Sequence, residues 1–269
     1  IEMLDLKQLT AEVCRIATEA GHFLKEERKA FRRERVIEKH AHDYVSYVDK
    51  ESEVRIVKAL TALLPEAGFI TEEGSATYQD ESYCWVIDPL DGTTNYIHDE
   101  APYCVCIALR NRTELLLGVV YEVCRDECFY AWKGGKAFMN GEEIHVSNIQ
   151  DAKDAFVITE LPYNHLQYKQ TALHLIDKLY GVVGGIRMNG SAAAAICYVA
   201  IGRFDAWAEA FLGKWDYSAA ALIVQQAGGR VTNFYGEDHF IEGHHIIATN
   251  GYLHPLFQRL LAEVPPLDM

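Results

Sequence analysis

Two carboxylates three positions apart, Asp88 and Asp91, close an apolar run and are followed at once by Gly92-Thr93-Thr94. The full stretch is Trp85-Val86-Ile87-Asp88-Pro89-Leu90-Asp91-Gly92-Thr93-Thr94-Asn95-Tyr96. Carboxylate oxygens are hard ligands that hold Mg²⁺. Gly and hydroxyl residues at the start of a helix offer backbone N–H groups to a phosphate oxygen. Together they point to metal-assisted chemistry on a phosphate ester. The pattern predicts a strand over Tyr83 to Ile87, with both acids in the turn that follows it.

Three further acidic positions fall at the boundaries of predicted elements: Asp49, Glu72-Glu73 and Asp216. Singly, each also reads as an ordinary structural residue. Asp49 suits a helix cap, Glu72 and Glu73 a solvated loop, and Asp216 the N-cap before Tyr217-Ser218-Ala219-Ala220.

The elements that must position these acids show in the hydrophobic period. Leu6, Leu9, Val13, Ile16, Ala20 and Phe23 predict an amphipathic helix from about Leu4 to Arg28. Val54, Val57, Leu60 and Leu64 mark a second, ended by Pro65. Phe69-Ile70-Thr71 reads as a short strand into Glu72. Cys104 to Leu109, Leu115 to Val123 and Glu127 to Trp132 are β-rich runs, with hairpin-type turns at Gly134-Gly135 and Asn140-Gly141. This stretch reads as antiparallel. The second half alternates: strand at Phe156 to Thr159, helix over Asn164 to Tyr180, an Ala-rich helix capped by Ser191, strand at Phe204 to Glu209, helix over Trp215 to Ala227, strand at Ile246 to Thr249, and a last helix from Leu253 to Glu263. The expected class is α+β, with an antiparallel N-terminal sheet (1–150) carrying most metal ligands and a mixed α/β C-terminal half (151–269) on the substrate side, packed as one unit.

Composition narrows the function. A hydrophobic share of 49% with 24% charged residues suits a globular protein, and no apolar run reaches the ~20 residues of a bilayer span. The formal net charge of −14 argues against nucleic acid or an anionic membrane as partner. It also bears on a phosphate substrate. Two like charges ~4 Å apart repel by about 4 kcal/mol at an effective dielectric of ~20. A carboxylate cluster therefore binds phosphate only with cations between them. The odd count of 7 cysteines predicts no disulfide framework and a reducing cytoplasm. His40/His42 and His244/His245 are read as surface or loop residues, because imidazole suits Zn²⁺ or Cu²⁺ better than Mg²⁺.

The order Asp49, Ile70-Thr71-Glu72-Glu73-Gly74, Asp88-Pro89-Leu90-Asp91-Gly92-Thr93-Thr94 and Trp215-Asp216 resembles the inositol monophosphatase family, as found in bacteria. Gly190-Ser191-Ala192-Ala193, Gly202-Arg203-Phe204-Asp205-Ala206, Glu209 and Ala227-Gly228-Gly229 extend the match over nearly the whole chain. The resemblance implies a layered αβαβα fold, a homodimer, and Mg²⁺-dependent, Li⁺-sensitive hydrolysis of phosphate monoesters by a metal-activated water, with two or three Mg²⁺ per site. It implies metal ligands at Glu72, Asp88, Asp91 and Asp216, and at Leu90 through its carbonyl. Thr93, with Asp49 as partner, matches the residue that orients the attacking water, near Glu72. Gly92 and Thr93 match the phosphate-binding N–H groups, and Glu209, Ser191 and Ala192 the substrate pocket.

The implied substrate is a small phosphorylated polyol or sugar, with inositol 1-phosphate first. Asn95-Tyr96 after Thr93-Thr94 favours it over the family's nucleotide branch. Relatives that act on fructose 1,6-bisphosphate, histidinol phosphate, adenosine 3′,5′-bisphosphate or NADP are the alternatives, and a bisphosphate would need rim cations such as Arg187 and Lys214. Some bacterial members also contact the transcription machinery, so a non-catalytic binding relative is the competitor from another class. Glu160-Leu161-Pro162-Tyr163 departs from the Gly-Phe-Pro-Tyr common in bacterial relatives, in a loop near the substrate.

Overall fold

A computed structural model describes residues 4–264 apart from 33, 35, 41, 42 and 164. His42, one half of the His40/His42 pair, and Asn164, the expected start of a helix, lie outside them. Helix α1 (Leu6–Lys29) leads through a hairpin of β1 (Ile37–His40) and β2 (Asp43–Val45) into α2 (Tyr47–Leu63). Then come β3 (Gly68–Thr71), β4 (Cys84–Asp91), the short α3 (Thr93–His98), β5 (Cys104–Arg110), β6 (Leu115–Glu122), β7 (Glu127–Trp132), β8 (Ala137–Met139) and β9 (Glu142–Glu143). The second half runs β10 (Phe156–Thr159), α4 (Lys169–Leu179), β11 (Gly185–Arg187), α5 (Ala192–Ala200), β12 (Ala206–Glu209), α6 (Lys214–Gln226), β13 (Arg230–Thr232), β14 (Ile246–Thr249) and α7 (His254–Leu261).

Strands β3 to β9 form one sheet in chain order, antiparallel throughout except that β3 runs parallel to β4. That single parallel pair makes the sheet mixed where an antiparallel one was expected. It follows from the connection between β3 and β4, residues 72–83, which carries the chain back to the starting end of the sheet instead of turning in a hairpin. The second sheet has the order β11-β10-β12-β14-β13, with β11, β10 and β12 parallel and the remaining pairs antiparallel. No helix among the described residues is long and apolar enough to cross a membrane.

Strict alternation in the strands builds the layers. On β5, Val105, Ile107 and Leu109 pack toward α1 and α2, while Cys104, Cys106 and Ala108 pack toward α5 and α6. On β12, Trp207 faces the same middle layer, and Ala206 and Ala208 face the outer core with α4 and α7. The result is helix, sheet, helix, sheet, helix, with α5 and α6 between the two sheets. Helix α5 is buried on every side, as a helix must be when it is apolar all round. Its alanines let both sheets approach.

The closest backbone approach in this middle layer is at Gly118 on β6. A Cβ there would stand 2.4 Å from the Ala219 carbonyl oxygen and 2.9 Å from its Cα, on α6. Both are backbone atoms and cannot swing away. Gly118→Ala is expected to lose about 3 kcal/mol through overpacking. Urea unfolding checks this by its midpoint, and an unchanged midpoint would show that α6 can shift off the sheet.

Candidate active site

The Asp88/Asp91 segment is not a turn after a strand. Strand β4 continues through it to Asp91, and its pairing with β5 slips between Asp88 and Asp91. Side chains three apart on a regular strand point to opposite faces. Pro89, which has no N–H for the ladder, marks the irregularity, and the local kink brings both carboxylates to one side. Leu90 N–H donates to Asp88 Oδ1 at 2.9 Å. The Leu90 side chain is in the core, which leaves its backbone to line the cavity, and its carbonyl oxygen lies 3.0 Å from Thr93 Oγ1 as an alternative acceptor to Asp49. Gly92 then takes φ +91° to start α3. A Cβ there would meet the Pro102 carbonyl oxygen at 3.0 Å, so the turn requires glycine.

Asp216 joins from the other half of the chain. It lies at the third position of α6, not at its N-cap, and its Oδ2 accepts the Gly213 N–H at 2.6 Å. Ligand atoms of Asp88, Asp91 and Asp216 lie within 4.8 Å of one another. Glu72, just beyond β3, reaches Asp88, and its Oε2 is shut off from solvent with no partner. Burial, then the neighbouring Asp216 charge, raises the Glu72 pKa well above the usual range. Burial, then the charges of Glu72, Asp91 and Asp216, does the same to Asp88. Burial pushes Asp91 up to about 6, against hydrogen bonds from Ser191 and Ala193. An all-oxygen set in which Glu72, Asp88 and Asp91 resist ionising, with one Glu72 oxygen orphaned, fits a hard divalent cation.

These acids line an open cavity of about 870 Å³, together with Gly92, Thr93, Ala192, Glu160 and Glu209. Asp49 and Ser191 are not on its wall. Each stands behind a residue that is. Asp49 Oδ1 accepts from Thr93 Oγ1 at 3.0 Å, while its Oδ2 accepts the Ser46 N–H at 2.9 Å in a capping box at the start of α2. Its pKa is raised by burial despite these bonds. Ser191, expected among the substrate-binding residues, caps α5 and gives its hydroxyl proton to Asp91 Oδ2. The Ala193 N–H donates to that same oxygen at 2.9 Å. The start of α5 thus fixes one Asp91 oxygen and leaves the other for the cluster.

Arg187 and Lys214 do not serve as rim cations. The Arg187 guanidinium lies 4.8 Å over the Phe156 ring and Lys214 pairs with Glu242. Among the described residues, no Lys or Arg lines the cavity. The His244/His245 pair lies in the loop before β14, as expected, but neither ring is exposed. The His245 ring is buried and its Nδ1 accepts the Phe234 N–H, while His244 stacks on Phe211 at the cavity wall.

Two carboxylates near the site, Glu53 and Glu100, were not singled out from sequence, and Glu160 was noted there only as part of a loop near the substrate. Glu53, 0% exposed on α2, accepts the Glu73 N–H at 2.7 Å and the Ser75 N–H at 2.8 Å, pinning the loop that carries Glu72. Glu160, beyond β10, accepts N–H groups of Asn189 at 2.9 Å and Gly190 at 3.2 Å, and burial pushes it up to about 7. Glu100 lines the outer wall. The stripe read from the sequence took Val54, which is exposed, and passed over Glu53 beside it on the buried face.

The raised pKa values give stability a sign. A carboxyl whose folded pKa lies above its unfolded value binds its proton more tightly in the folded state, so stability falls as pH rises between the two. Asp91 alone, moved from 3.8 to about 6, corresponds to about 3 kcal/mol lost over that window. Metal-free protein is therefore expected to melt lower at pH 7.5 than at pH 5. A bound cation favours the ionised set, and at 100 times its Kd stabilises by about 2.7 kcal/mol. Mg²⁺ should raise Tm by roughly 5–10 °C at pH 7.5 and far less at pH 5. Thermal melts in EDTA and in Mg²⁺ read both, and identical melts at pH 7.5 count against a metal site.

A layered fold with an all-carboxylate cluster in a cavity between its halves defines a class of metal-dependent phosphoester proteins. The model of the inositol monophosphatase family matches residues 5–265, and the chain belongs to that family. It is 39% identical over 236 residues to Nus factor SuhB of Pseudomonas aeruginosa, covering 86% of each chain. The Escherichia coli K12 protein of that name is 36% identical over 214 residues, 79% of this chain and 80% of that one. Among solved structures, inositol monophosphatase from Anabaena superimposes with a TM-score of 0.86 at 30% identity, covering 98% of this chain and 99% of the other. The SuhB protein of Bartonella henselae gives 0.89 at 33%, covering 95% and 98%.

Proposed function

We propose that this protein is a Mg²⁺-dependent phosphomonoesterase whose substrate is inositol 1-phosphate, releasing inositol and phosphate. The observation that supports it most is the gathering of Glu72, Asp88, Asp91 and Asp216 on one cavity wall, with the hydrogen-bonded Thr93–Asp49 pair at its edge. Glu72, Asp88, Asp91, Asp216 and the Leu90 carbonyl hold two or three Mg²⁺. When bound, Mg²⁺ neutralises the phosphoryl oxygens, lowers the pKa of water and steadies the leaving oxygen. Thr93 orients the attacking water and passes its proton toward Asp49. The N–H groups of Gly92 and Thr93 hold a phosphoryl oxygen, Ala192 lines the floor, and Glu209 accepts from a substrate hydroxyl. The chain acts as one unit of two halves, 1–150 and 151–269, as a homodimer in the cytoplasm, and Li⁺ inhibits it.

Phosphate release with Mg²⁺, with and without EDTA, tests this on inositol 1-phosphate, fructose 1,6-bisphosphate, histidinol phosphate, adenosine 3′,5′-bisphosphate and NADP. An EDTA-sensitive preference for inositol 1-phosphate is expected. Preference for another ester keeps the chemistry and moves the substrate. A binding role is the second reading, favoured by relatives named Nus factor. Mg²⁺ binding with no release from any ester would establish it over catalysis. The complete carboxylate set argues for turnover.

A further inference from the structure

We propose that Asn189, which lines the same cavity as the acidic cluster, reads a hydroxyl of the substrate's alcohol, and that Glu160 is the positioning residue that holds it there. This rests on the phosphomonoesterase reading and extends it to how the alcohol is selected.

Asn189 lines the cavity. Its Oδ1 accepts the Ser191 N–H at 3.0 Å, which settles which end of the amide is oxygen. The Nδ2 end is shut off from solvent and has no partner in the protein. Buried amide donors are almost always paired, so this one awaits a ligand acceptor. Glu209 Oε2, on the same cavity, is a buried oxygen in the same position. A donor and an acceptor left unsatisfied beside one cavity match hydroxyl groups, each of which can give and take a hydrogen bond. A second phosphate only accepts at neutral pH. It would find Glu100, Glu160 and Glu209 and, among the described residues, no Lys or Arg.

The Asn189 amide is held before any ligand arrives. Glu160 Oε1 accepts the Asn189 N–H and both Glu160 oxygens lie 3.2 Å from the Gly190 nitrogen. From the other side, Asn95 Nδ2 donates to the Asn189 carbonyl at 2.8 Å and to the Pro102 carbonyl at 2.8 Å. Gly190 takes φ +79°, and a Cβ there would meet the Asn95 amide at 2.7 Å. The segment is therefore clamped between β10 and α3, and the phosphate-binding turn and the alcohol-reading amide share one support. Preorganisation of this kind raises selectivity because little freedom is lost on binding.

The test compares inositol 1-phosphate with phenyl phosphate, which has the same phosphate and no hydroxyl. Asn189→Ala removes the whole amide, while Asn189→Asp replaces the donor by a second, charged acceptor and keeps an acceptor for the Ser191 N–H. Both are expected to lower kcat/KM for inositol 1-phosphate about 10-fold more than for phenyl phosphate. Glu160→Gln should raise KM for inositol 1-phosphate about 3-fold with little change in kcat. Equal losses on both esters in Asn189→Ala would mean a structural role and overturn the proposal, as would no loss on either. Calorimetric binding of the two esters in Ca²⁺ separates this from the underlying reading. If the wild-type protein hydrolyses neither ester, the phosphatase reading fails. A 10-fold weaker binding of inositol 1-phosphate to Asn189→Ala would still support the subsite, and unchanged binding would overturn it.

Discussion

Asp91→Asn is expected to lose Mg²⁺-dependent phosphate release, with kcat down about 10³-fold or more, while the metal-free protein becomes more stable at pH 7. The two effects have one cause. Asp91 is a buried carboxylate beside Asp88 and Asp216, and its proton affinity is raised because ionisation there is unfavourable without a cation. An Asn side chain can still accept from Ser191 and Ala193 through its oxygen. Its NH₂ then faces the remaining acids, where it donates instead of repelling. Recovering part of the penalty on Asp91 should add about 2 kcal/mol, or roughly 5 °C in Tm. The same change removes one charged ligand from the cluster. Electrostatic stabilisation by the cation is worth several kcal/mol in the transition state, and about 4 kcal/mol is 10³ in rate. Steady-state rates and melts in EDTA, measured together, give the answer. A variant that is inactive but less stable would point to disruption of the α5 cap instead, and one that stays active would remove Asp91 from the metal set.

How far the sequence anticipates this site depends on whether a residue obeys the period of its element. Leu9, Val13 and Ile16 on α1, or Val105, Ile107 and Leu109 on β5, repeat at 3.6 and 2.0 and are all buried where the pattern places them. Residues that break the period for a functional reason escape it. Strand β4 runs through Pro89 because its slipped register tolerates a missing donor, so the motif that looks like a turn is ladder. On α2 the stripe read from Val54 is turned by one residue, so that Val54 is exposed and Glu53 is buried, its carboxylate held by two loop N–H groups. Ser191 shows its cap role in the sequence, while its second bond, to Asp91, joins residues 100 apart. The edge strands β11 and β13 have three residues each, too few to carry any period. Spacing along the chain finds the acids. Which oxygen of each is already engaged is a tertiary fact.

Thr93→Val should lower kcat by about 10²- to 10⁴-fold, the usual range for losing a positioned proton acceptor, and leave metal binding intact. Thr93 Oγ1 stands 3.0 Å from both Asp49 Oδ1 and the Leu90 carbonyl. It has one proton to give and lone pairs that face the cavity it lines. A water donating to Thr93 can therefore lose its proton as the Thr93 proton moves to Asp49. Asp49 suits that task because burial raises its pKa, making it a stronger base than an exposed carboxylate. It does not turn away, since Ser46 holds its other oxygen. Valine keeps the shape of threonine and removes the link. It also strips a donor from a buried carboxylate, at a cost of about 1–3 kcal/mol in stability. Thr93→Ser restores the hydroxyl and should return the rate to within about 10-fold of wild type. The Mg²⁺-induced rise in Tm separates this from ligand loss, because Thr93→Val should retain it and Asp91→Asn should not. Asp49→Asn should match Thr93→Val in rate, as two members of one relay must. If Thr93→Val turns over as fast as wild type, the relay is wrong and the carboxylate cluster acts without a protein base.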